Sequence, residues 1–426
     1  MPDTRRVIPR TLGGVTESLQ ISDILQRAAG GGRISPDEAL LLYTEAPFHA
    51  LGEAADTARR RRYPDNVVTY LIDRNINYTN VCVTACKFCA FYRAPKHAEG
   101  WSHSTEEVLR RCAEAVELGA TQVMLQGGHH PEFGVEYYEE LFSSVKRSFP
   151  QLVIHSIGPS EILHMAKVSG VSIEEAVRRI RAAGLDSIAG AGAEMLPDRP
   201  RKAIAPLKES GARWLEVMRT AHRLGISSTA TMMMGTGETN AERIEHLRMI
   251  RDTQDRAVQA GYAAEAAESG SDGAGGFRSF IPWTYQPENN HLKGRTQATS
   301  LEYLRIVAVA RLFFDNIAHL QSSWLTTGKD VGQVSLHLGV DDLGSIMLEE
   351  NVISSAGARH RSRLSELIHM IRSADRIPAQ RDTLYRHLRV HFTAEDDPTD
   401  QRVVSHFSSI ALPGGGARTL PLVESK

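Results

Sequence analysis

Cysteine is scarce in this chain, with four residues among 426, and three of the four fall within eight positions. A secreted protein held by disulfides would spread an even number of cysteines along its length, so that class is excluded. Long apolar runs are also missing, since no stretch approaches the ~18 consecutive apolar residues of a membrane-spanning helix. Arg5 and Arg6 occur near the N-terminus, but no apolar region follows them, which argues against an export signal. We therefore expect a cytoplasmic protein with no membrane span.

An excess of charge of either sign is absent too, because 49 Lys and Arg residues face 51 Asp and Glu residues, for a formal net charge of −2. A near-neutral chain has no global attraction to nucleic acid or to an anionic membrane, so we expect neither as a partner. What remains is 42% hydrophobic and 23% charged residues, a composition typical of a globular protein with a large core.

Strand-like and helix-like patterns alternate from residue 67 onward. Capping boxes open several of the helices, as at Ser104 with Glu107 and at Thr239 with Glu242. The predicted strands cover residues 67–76, 121–127, 152–158, 185–192, 227–235, 277–283, 318–324 and 344–350. Alternating strands and helices indicate parallel βα units, and eight such units close a barrel with the carboxyl ends of all strands at one rim. The sequence therefore predicts an α/β fold with a TIM-type (βα)8 barrel.

The same patterns divide the chain into parts. We predict an N-terminal arm and helical extension at 1–66, the barrel at 67–357, a C-terminal helical segment at 358–392 and a disordered tail at 393–426. Residues 257–276 hold one aromatic residue and are mostly Ala, Gly, Glu and Ser, so we predict a flexible insertion in the barrel there.

Cys82, Cys86 and Cys89 follow the first predicted strand with the spacing Cys-x3-Cys-x2-Cys. Thiolates grouped on one loop are typical ligands of an iron–sulfur cluster, and three ligands for four irons leave one iron open for catalysis. A zinc site completed by His97 or Cys112 is the alternative, although zinc sites favour paired cysteines and no second pair exists here. Cys112 fits better as a buried thiol, because it falls on the apolar face of a predicted helix.

Glycines and polar residues end several other predicted strands. Gly127 and Gly128 permit close approach of the backbone to a ligand. Glu194 follows a second glycine-rich strand end, where it could accept hydrogen bonds from ribose hydroxyls or cap the next helix. A Rossmann fingerprint fails there because position 195 is methionine instead of glycine. Arg201 is placed to meet a carboxylate of the same ligand.

Three further side chains near strand ends could accept a proton during catalysis: His155, Glu161 and Glu238. The sequence does not rank them. Phe88, between the last two cysteines, either packs over the cysteine loop or lies beside a bound purine, and the two roles are compatible.

The cysteine spacing, the aromatic residue before the last cysteine and the position after the first barrel strand together resemble the radical S-adenosylmethionine (radical SAM) superfamily. The stretches 73–93, 190–196, 229–239 and 323–357 resemble in particular the branch that contains the futalosine-pathway and deazaflavin enzymes. The resemblance implies a barrel of the radical SAM kind, with a 4Fe-4S cluster and S-adenosyl-L-methionine as cofactors. It also implies an external low-potential electron donor such as flavodoxin or ferredoxin.

Roles for individual residues follow from the resemblance. The three cysteines would ligate the cluster, Glu194 would face the cofactor ribose and Arg201 the cofactor carboxylate. His129 stands where the superfamily's Gly-Gly-Glu element has its third residue, so only a backbone contact to the methionine amine carries over. The implied cofactor-binding residues are Tyr78, Phe88, Gly127, Gly128, Glu194 and Arg201.

Within this branch, the quoted stretches imply a cyclase of menaquinone biosynthesis whose small-molecule substrate is dehypoxanthine futalosine. A 5′-deoxyadenosyl radical would remove the hydrogen from ribose C4′, and the carbon radical would close a ring onto the benzoate. Loss of one proton and one electron would restore the aromatic ring. The alternatives are a deazaflavin chromophore synthase and the aminofutalosine synthase of the same branch. An iron–sulfur electron carrier or a zinc-stabilised binding protein is disfavoured, since neither needs a barrel with glycines at its strand ends.

Overall fold

The structure is a computed structural model that describes residues 12–263, 275–292, 294–295 and 297–405, with side chains from residue 19 onward. Helices α1 (Leu12–Ala29), α2 (Pro36–Glu45) and α3 (Phe48–Arg62) form the N-terminal extension. Helix α2 begins with a complete capping box between Ser35 and Glu38. Within the described ranges, no helix has both the length and the apolar character needed to cross a membrane.

The strands after the extension are β1 (Val67–Leu71), β2 (Asp73–Ile76), β3 (Gln122–Leu125), β4 (Val153–Ser156), β5 (Ser187–Ile188), β6 (Ser227–Met234), β7 (Gly276–Thr284), β8 (His319–Leu320), β9 (Asp342–Ser345), β10 (Ile377–Arg381) and β11 (His387–Val390). The helices among them are α4 (Thr105–Glu117), α5 (Val135–Ser148), α6 (Pro159–Ser169), α7 (Ile173–Ala182), α8 (Asp198–Ile204), α9 (Gly211–Arg223), α10 (Asn240–Gln259), α11 (Ser300–Phe313), α12 (Trp324–Thr327), α13 (Lys329–Ser335), α14 (Val352–Ser355) and α15 (Leu364–Ser373). Strands β2 to β8 form one seven-stranded parallel sheet in sequence order, and β11-β10-β1-β9 form a second sheet.

The segment 342–349 closes the barrel between β8 and the first two strands. On one side the backbone N–H of Ser322 donates to Asp342 O at 2.8 Å, and on the other the N–H of Ile346 donates to Leu71 O at 2.9 Å. The eighth position of the wall is thus filled by a short strand with backbone bonds on both edges. The predicted α/β barrel is confirmed.

Two details of the sequence prediction are wrong. The run 67–76 is not one strand, because the chain turns at Ile72 and its halves enter different sheets. The segment 358–392 is not helical throughout, since α15 is followed by β10 and β11. Asp375 adopts a left-handed conformation with φ 55° just after α15, and Pro378 lacks the N–H that a helix would need. Strand β10 instead pairs in parallel with β1 and supplies hydrogen-bond partners for the backbone groups on its outer edge.

The tail predicted to be disordered from residue 393 onward is described as far as Ser405, and the last three described residues pack against the barrel. Val403 is 4% exposed, and the Ser405 hydroxyl donates to a carbonyl of the closing segment at 2.7 Å. Residues 406–426 lie outside the described part of the chain, as do residues 264–274 of the predicted flexible insertion.

The turn between β10 and β11 covers the amino end of the barrel. Buried Arg381 pairs with buried Asp342, with 3.2 Å between Nη2 and Oδ1 and a second bond from Nε. Tyr385 stacks on His319 at the start of β8, with ring centroids 3.5 Å apart. The Thr383 hydroxyl donates at 2.6 Å to the side chain of Gln122, the first residue of β3. Residues 381–385 therefore form the floor of the barrel.

Replacing Arg381 with methionine should lower the free energy of unfolding by about 3–5 kcal/mol, because Asp342 is left buried without its cation. Arg389→Met, on the exposed side of β11, should change it by less than about 0.5 kcal/mol. Urea denaturation followed by circular dichroism measures both variants. Equal losses of unfolding free energy in the two variants would show that the pair of Arg381 and Asp342 does not stabilise the floor.

Candidate active site

The loop after β2 carries the three cysteines at the carboxyl end of the barrel. Backbone bonds fix its shape: the N–H of Cys82 donates to Arg93 O at 2.9 Å, and that of Cys89 to Cys86 O at 3.1 Å. Ala85 has a φ of 47°, a left-handed conformation that non-glycine residues rarely adopt. Such local strain is typical of functional loops, where the surrounding structure holds it in place.

Burial and mutual repulsion disfavour the ionised form of these thiols. Burial raises the pKa of Cys86 to about 12 and the pKa of Cys89 to about 11, and the nearby Cys82 adds to both shifts. Thiols in such a setting become metal ligands when a cationic centre compensates their charge. Among the described residues, no three His, Cys, Asp or Glu side chains are arranged to hold a single metal ion. The three thiols fit a cluster, in which each sulfur binds a different iron.

The residues proposed to complete a zinc site lie elsewhere. Cys112 is 0% exposed in the core face of α4, as the sequence predicts for a structural thiol. His97 is exposed, and its Nδ1 accepts the backbone N–H of Glu99 at 3.1 Å.

The loop after β3 packs directly against the cysteine loop. A Cβ at Gly128 would lie 2.2 Å from Val81 O and 2.9 Å from Cys82 Cβ. One at Gly127 would lie 2.5 Å from the ring of Tyr78. Both positions must therefore be glycine for the two loops to touch. Their contact with a cofactor stays a prediction.

His129, the residue after these glycines, is bonded to the cysteine loop. Its Nδ1 lies 2.6 Å from the Thr84 hydroxyl, and its carbonyl accepts the N–H of Val83 at 3.1 Å. Burial lowers the pKa of His129 to about 3, so the ring is neutral. The histidine thus supports the cysteine loop through Thr84 and Val83.

Glu161 ties these loops to the end of β4. Its Oε1 accepts the Tyr78 hydroxyl at 2.6 Å and the Gly127 N–H at 3.1 Å, while Oε2 accepts the Gly158 N–H at 2.7 Å. Burial raises the pKa of the carboxyl group. With both oxygens engaged, Glu161 acts as a positioning residue, which argues against its predicted role as a base. Tyr78 is 0% exposed, which argues against its predicted contact with a cofactor.

Glu238 is engaged in the same way at the end of β6. Its side chain is fully buried and accepts the backbone N–H groups of Gly235 and Thr236, both at 2.8 Å. Arg243 completes the set with a bond from Nε at 2.9 Å. The carboxylate anchors the loop, so the structure argues against Glu238 as a base as well.

His155 keeps one ring nitrogen free. Its Nδ1 lies 2.9 Å from the Ser187 hydroxyl, which donates to Ser227 O at 3.0 Å and accepts from Arg278 Nη1 at 2.7 Å. Because a hydroxyl has one hydrogen, His155 Nδ1 must be the donor in their bond. The lone pair is then on Nε2, for which the described residues supply no hydrogen-bond partner. Burial lowers the pKa of His155 well below its usual value, so the ring is neutral.

Glu194, on the loop between β5 and α8, lies near Arg201 of α8. Glu194 has a φ of 41° and accepts two bonds from Lys208 Nζ, at 3.0 and 3.1 Å. Arg201 Nη1 is 4.0 Å from the Glu194 carboxylate, but it donates to Ala193 O at 2.7 Å. Arg201 Nη2 binds the Glu209 carboxylate at 2.5 Å. The guanidinium predicted to bind a ligand carboxylate therefore holds the loop.

Lys208 was missed by the sequence reasoning. Its ammonium group lies 5.8 Å from the centre of the Phe88 ring, and its side chain is 8% exposed. Its charge partly offsets the burial that raises the pKa of Cys86. Phe88 packs in a small apolar cluster with Cys86, which places it over the cysteine loop. A single lysine between two helices carries no spacing signal, so the sequence offered no means of finding it.

Two family models match the chain. The radical SAM superfamily matches residues 76–250, and the CofH/MqnC C-terminal region matches residues 274–393. The FeFe-hydrogenase maturase HydG from Carboxydothermus hydrogenoformans shares the fold with a TM-score of 0.65 at 17% identity, covering 87% of this chain and 82% of its own. Methylornithine synthase (PylB) has a TM-score of 0.63 at 17% identity, covering 84% and 97%. Barrel and cysteine loop together define a radical SAM enzyme.

Curated relatives narrow the class. The cyclic dehypoxanthine futalosine synthase of Streptomyces coelicolor is 67% identical over 95% of this chain and 98% of its own length. That of Halalkalibacterium halodurans is 40% identical over 87% and 96%. The 5-amino-6-(D-ribitylamino)uracil–L-tyrosine 4-hydroxyphenyl transferase 1 of Methanosarcina acetivorans is 39% identical over 86% and 94%. The chain belongs to the family of cyclic dehypoxanthine futalosine synthases. Membership in the superfamily implies S-adenosyl-L-methionine and a 4Fe-4S cluster.

Replacing Cys82, Cys86 or Cys89 with alanine should abolish cluster binding, because each removes one of three ligands. Cys112→Ala, the matched control in the core, should keep the full iron and sulfide content. Iron and sulfide analysis with visible absorbance after anaerobic reconstitution measures this. A Cys86→Ala protein that retains a full cluster would show that the loop is not the ligand set.

Proposed function

We propose that this protein converts dehypoxanthine futalosine to its cyclic product in menaquinone biosynthesis. The observation that carries the proposal is the 67% identity to a cyclic dehypoxanthine futalosine synthase over 95% of the chain. The cysteine loop at the rim of a barrel supports it, since this is where a TIM-type barrel carries out its chemistry.

The cofactors would be held at the rim. We assign Cys82, Cys86 and Cys89 to the 4Fe-4S cluster, and the buried pair of Glu194 and Lys208 to the ribose and carboxylate of S-adenosyl-L-methionine. When bound, these cofactors supply a 5′-deoxyadenosyl radical that takes the hydrogen from ribose C4′ of the substrate. The protein would hold that hydrogen in position and exclude water from the interior of the barrel.

The base is assigned to His155. Ring closure onto the benzoate would leave a ring radical that must lose one proton and one electron to restore aromaticity. The electron would pass to the oxidised 4Fe-4S cluster, and the proton needs a base. Of the three predicted bases, His155 alone has a basic atom, Nε2, with no hydrogen-bond partner among the described residues, because every carboxylate oxygen of Glu161 and Glu238 accepts at least one hydrogen bond. Its Nδ1–H is fixed by the Ser187 hydroxyl, which orients Nε2 as the acceptor.

The electron that starts the reaction would come from an external low-potential donor, flavodoxin or ferredoxin. Both the donor and an oxygen-sensitive cluster fit the reducing cytoplasm, which we propose as the location.

Activity with the proposed substrate tests the assignment. The reconstituted, reduced enzyme, incubated without oxygen with S-adenosyl-L-methionine and dehypoxanthine futalosine, should form 5′-deoxyadenosine and a product two hydrogens lighter than the substrate. A parallel incubation with L-tyrosine and 5-amino-6-(D-ribitylamino)uracil should give no coupled product. Coupled product in that incubation alone would assign the chain to the transferase activity named for its Methanosarcina relatives.

His155→Gln should lower cyclised product by about 100-fold or more, because the proton acceptor is lost. Cyclised product should fall further than 5′-deoxyadenosine, since the base acts after hydrogen abstraction. The exposed His97→Gln provides the control. Liquid chromatography with mass detection gives the ratio of the two products, and an unchanged ratio in His155→Gln would remove His155 from the proton transfer.

A further inference from the structure

Strand β7 contains a bulge near its start. Ser228 on β6 pairs with Phe277, but the next residue, Thr229, pairs with Ser279. Arg278 is therefore the extra residue of the bulge. Bulges occur often beside active sites, where they redirect one side chain.

Arg278 points away from the helices and into the barrel, because successive residues of a strand face opposite sides. Phe277 faces α9, with its ring centre 4.8 Å from that of His222. Arg278 instead reaches across the inner face of β6 to β5. Its Nη1 donates to the hydroxyl of Ser187 on β5 at 2.7 Å and to the hydroxyl of Ser227 on β6.

The charge of Arg278 has no ion-pair partner in the described part of the chain. The nearest charged groups belong to the floor, but Arg381 is paired with Asp342 and Asp382 with Arg386. The Nε of Arg278 is buried and has no hydrogen-bond partner among the described residues. A buried guanidinium with an unused donor is unusual, because desolvated charges are normally paired.

Open space lies beside this guanidinium. Along β7 the side chains of Arg278, Ile281 and Trp283 keep partial exposure, whereas Phe277 and Phe280, which face the helices, are buried. Accessible surface on the inner side of the sheet indicates a lumen. Burial lowers the pKa of Arg278 to about 10, so the group remains a cation at neutral pH.

We propose that Arg278 binds the carboxylate of the substrate at the floor end of the lumen and thereby determines specificity for a benzoate-bearing substrate. Its Nη1 is used by the two serines and its Nε is enclosed by protein, which leaves Nη2 as the donor for a carboxylate oxygen. A hydrogen bond from a guanidinium to a carboxylate is charge-assisted and therefore stronger than one between neutral groups. The inference rests on the proposed function, whose substrate carries a benzoate.

The same contact positions the ring for the base. Ser187 binds both Arg278 Nη1 and His155 Nδ1 through one hydroxyl oxygen. A benzoate anchored on Arg278 is therefore held beside the ring whose Nε2 is free. The carboxylate also supplies the negative charge that the floor lacks at this point.

Arg278→Met should raise the KM for dehypoxanthine futalosine by about 100-fold, since the charged contact is lost. Wild-type enzyme should lose a similar factor with the methyl ester of the substrate carboxylate, and Arg278→Met should show no further loss with that ester. Arg278→Lys should recover part of the affinity for the acid but not for the ester. Iron and sulfide content checks that each variant is folded and carries its cluster.

Equal losses for acid and ester in Arg278→Met would mean that Arg278 acts structurally, and would overturn the inference. An unchanged KM would overturn it as well. The carboxylate site can be tested independently of the proposed function. Ligand-observed NMR follows the binding of benzoate to the reconstituted enzyme without turnover. Benzoate bound by wild type but not by Arg278→Met would support the carboxylate site even if no cyclised product forms. Benzoate bound equally by both would contradict it.

Discussion

The buried carboxylate of Asp342 connects the wall of the barrel to its floor. Its backbone closes the ring of strands against Ser322, while its side chain binds Arg381 and the Thr69 hydroxyl. A charge removed from water at this depth is tolerated only when paired, so wall and floor must assemble together. The rim, with its cysteine loop, and the lumen below it both depend on this closure. Residues 377–390 thus belong to the closed structure of wall and floor and are not an appendage.

Buried carboxylates also hold the structure together at the carboxyl end of the barrel. Glu161 and Glu238 each accept backbone N–H groups from loops at strand ends, and the turn held by Glu161 packs against the cysteine loop. Because these acids are engaged, the chemistry is left to side chains with unused atoms. Those are the side chains of His155 and Arg278, whose Nδ1 and Nη1 atoms both bond the Ser187 hydroxyl. The lumen therefore has a rim suited to cofactors and a lower end suited to an anion.

The sequence predicted the barrel and the structural role of Cys112, because periodicity reports these directly, while the cysteine ligands stay a prediction. It missed the break at Ile72, since a short extended run does not show where the chain changes sheets. It also ranked Glu161 and Glu238 equally with His155, because the number of donors around a carboxylate depends on tertiary contacts. Arg278 and Lys208 gave no signal, as neither belongs to a motif. The extra residue that the bulge places opposite Thr229 is invisible until the register of β6 and β7 is known.

The central claim is that this lumen holds a substrate so that its ribose C4′ hydrogen faces the cofactor radical. Isotope transfer tests it most directly, by use of dehypoxanthine futalosine that carries deuterium at C4′ alone. The account predicts that each 5′-deoxyadenosine formed with cyclised product contains one deuterium by mass spectrometry. Unlabelled 5′-deoxyadenosine, with deuterium retained in the product, would contradict it.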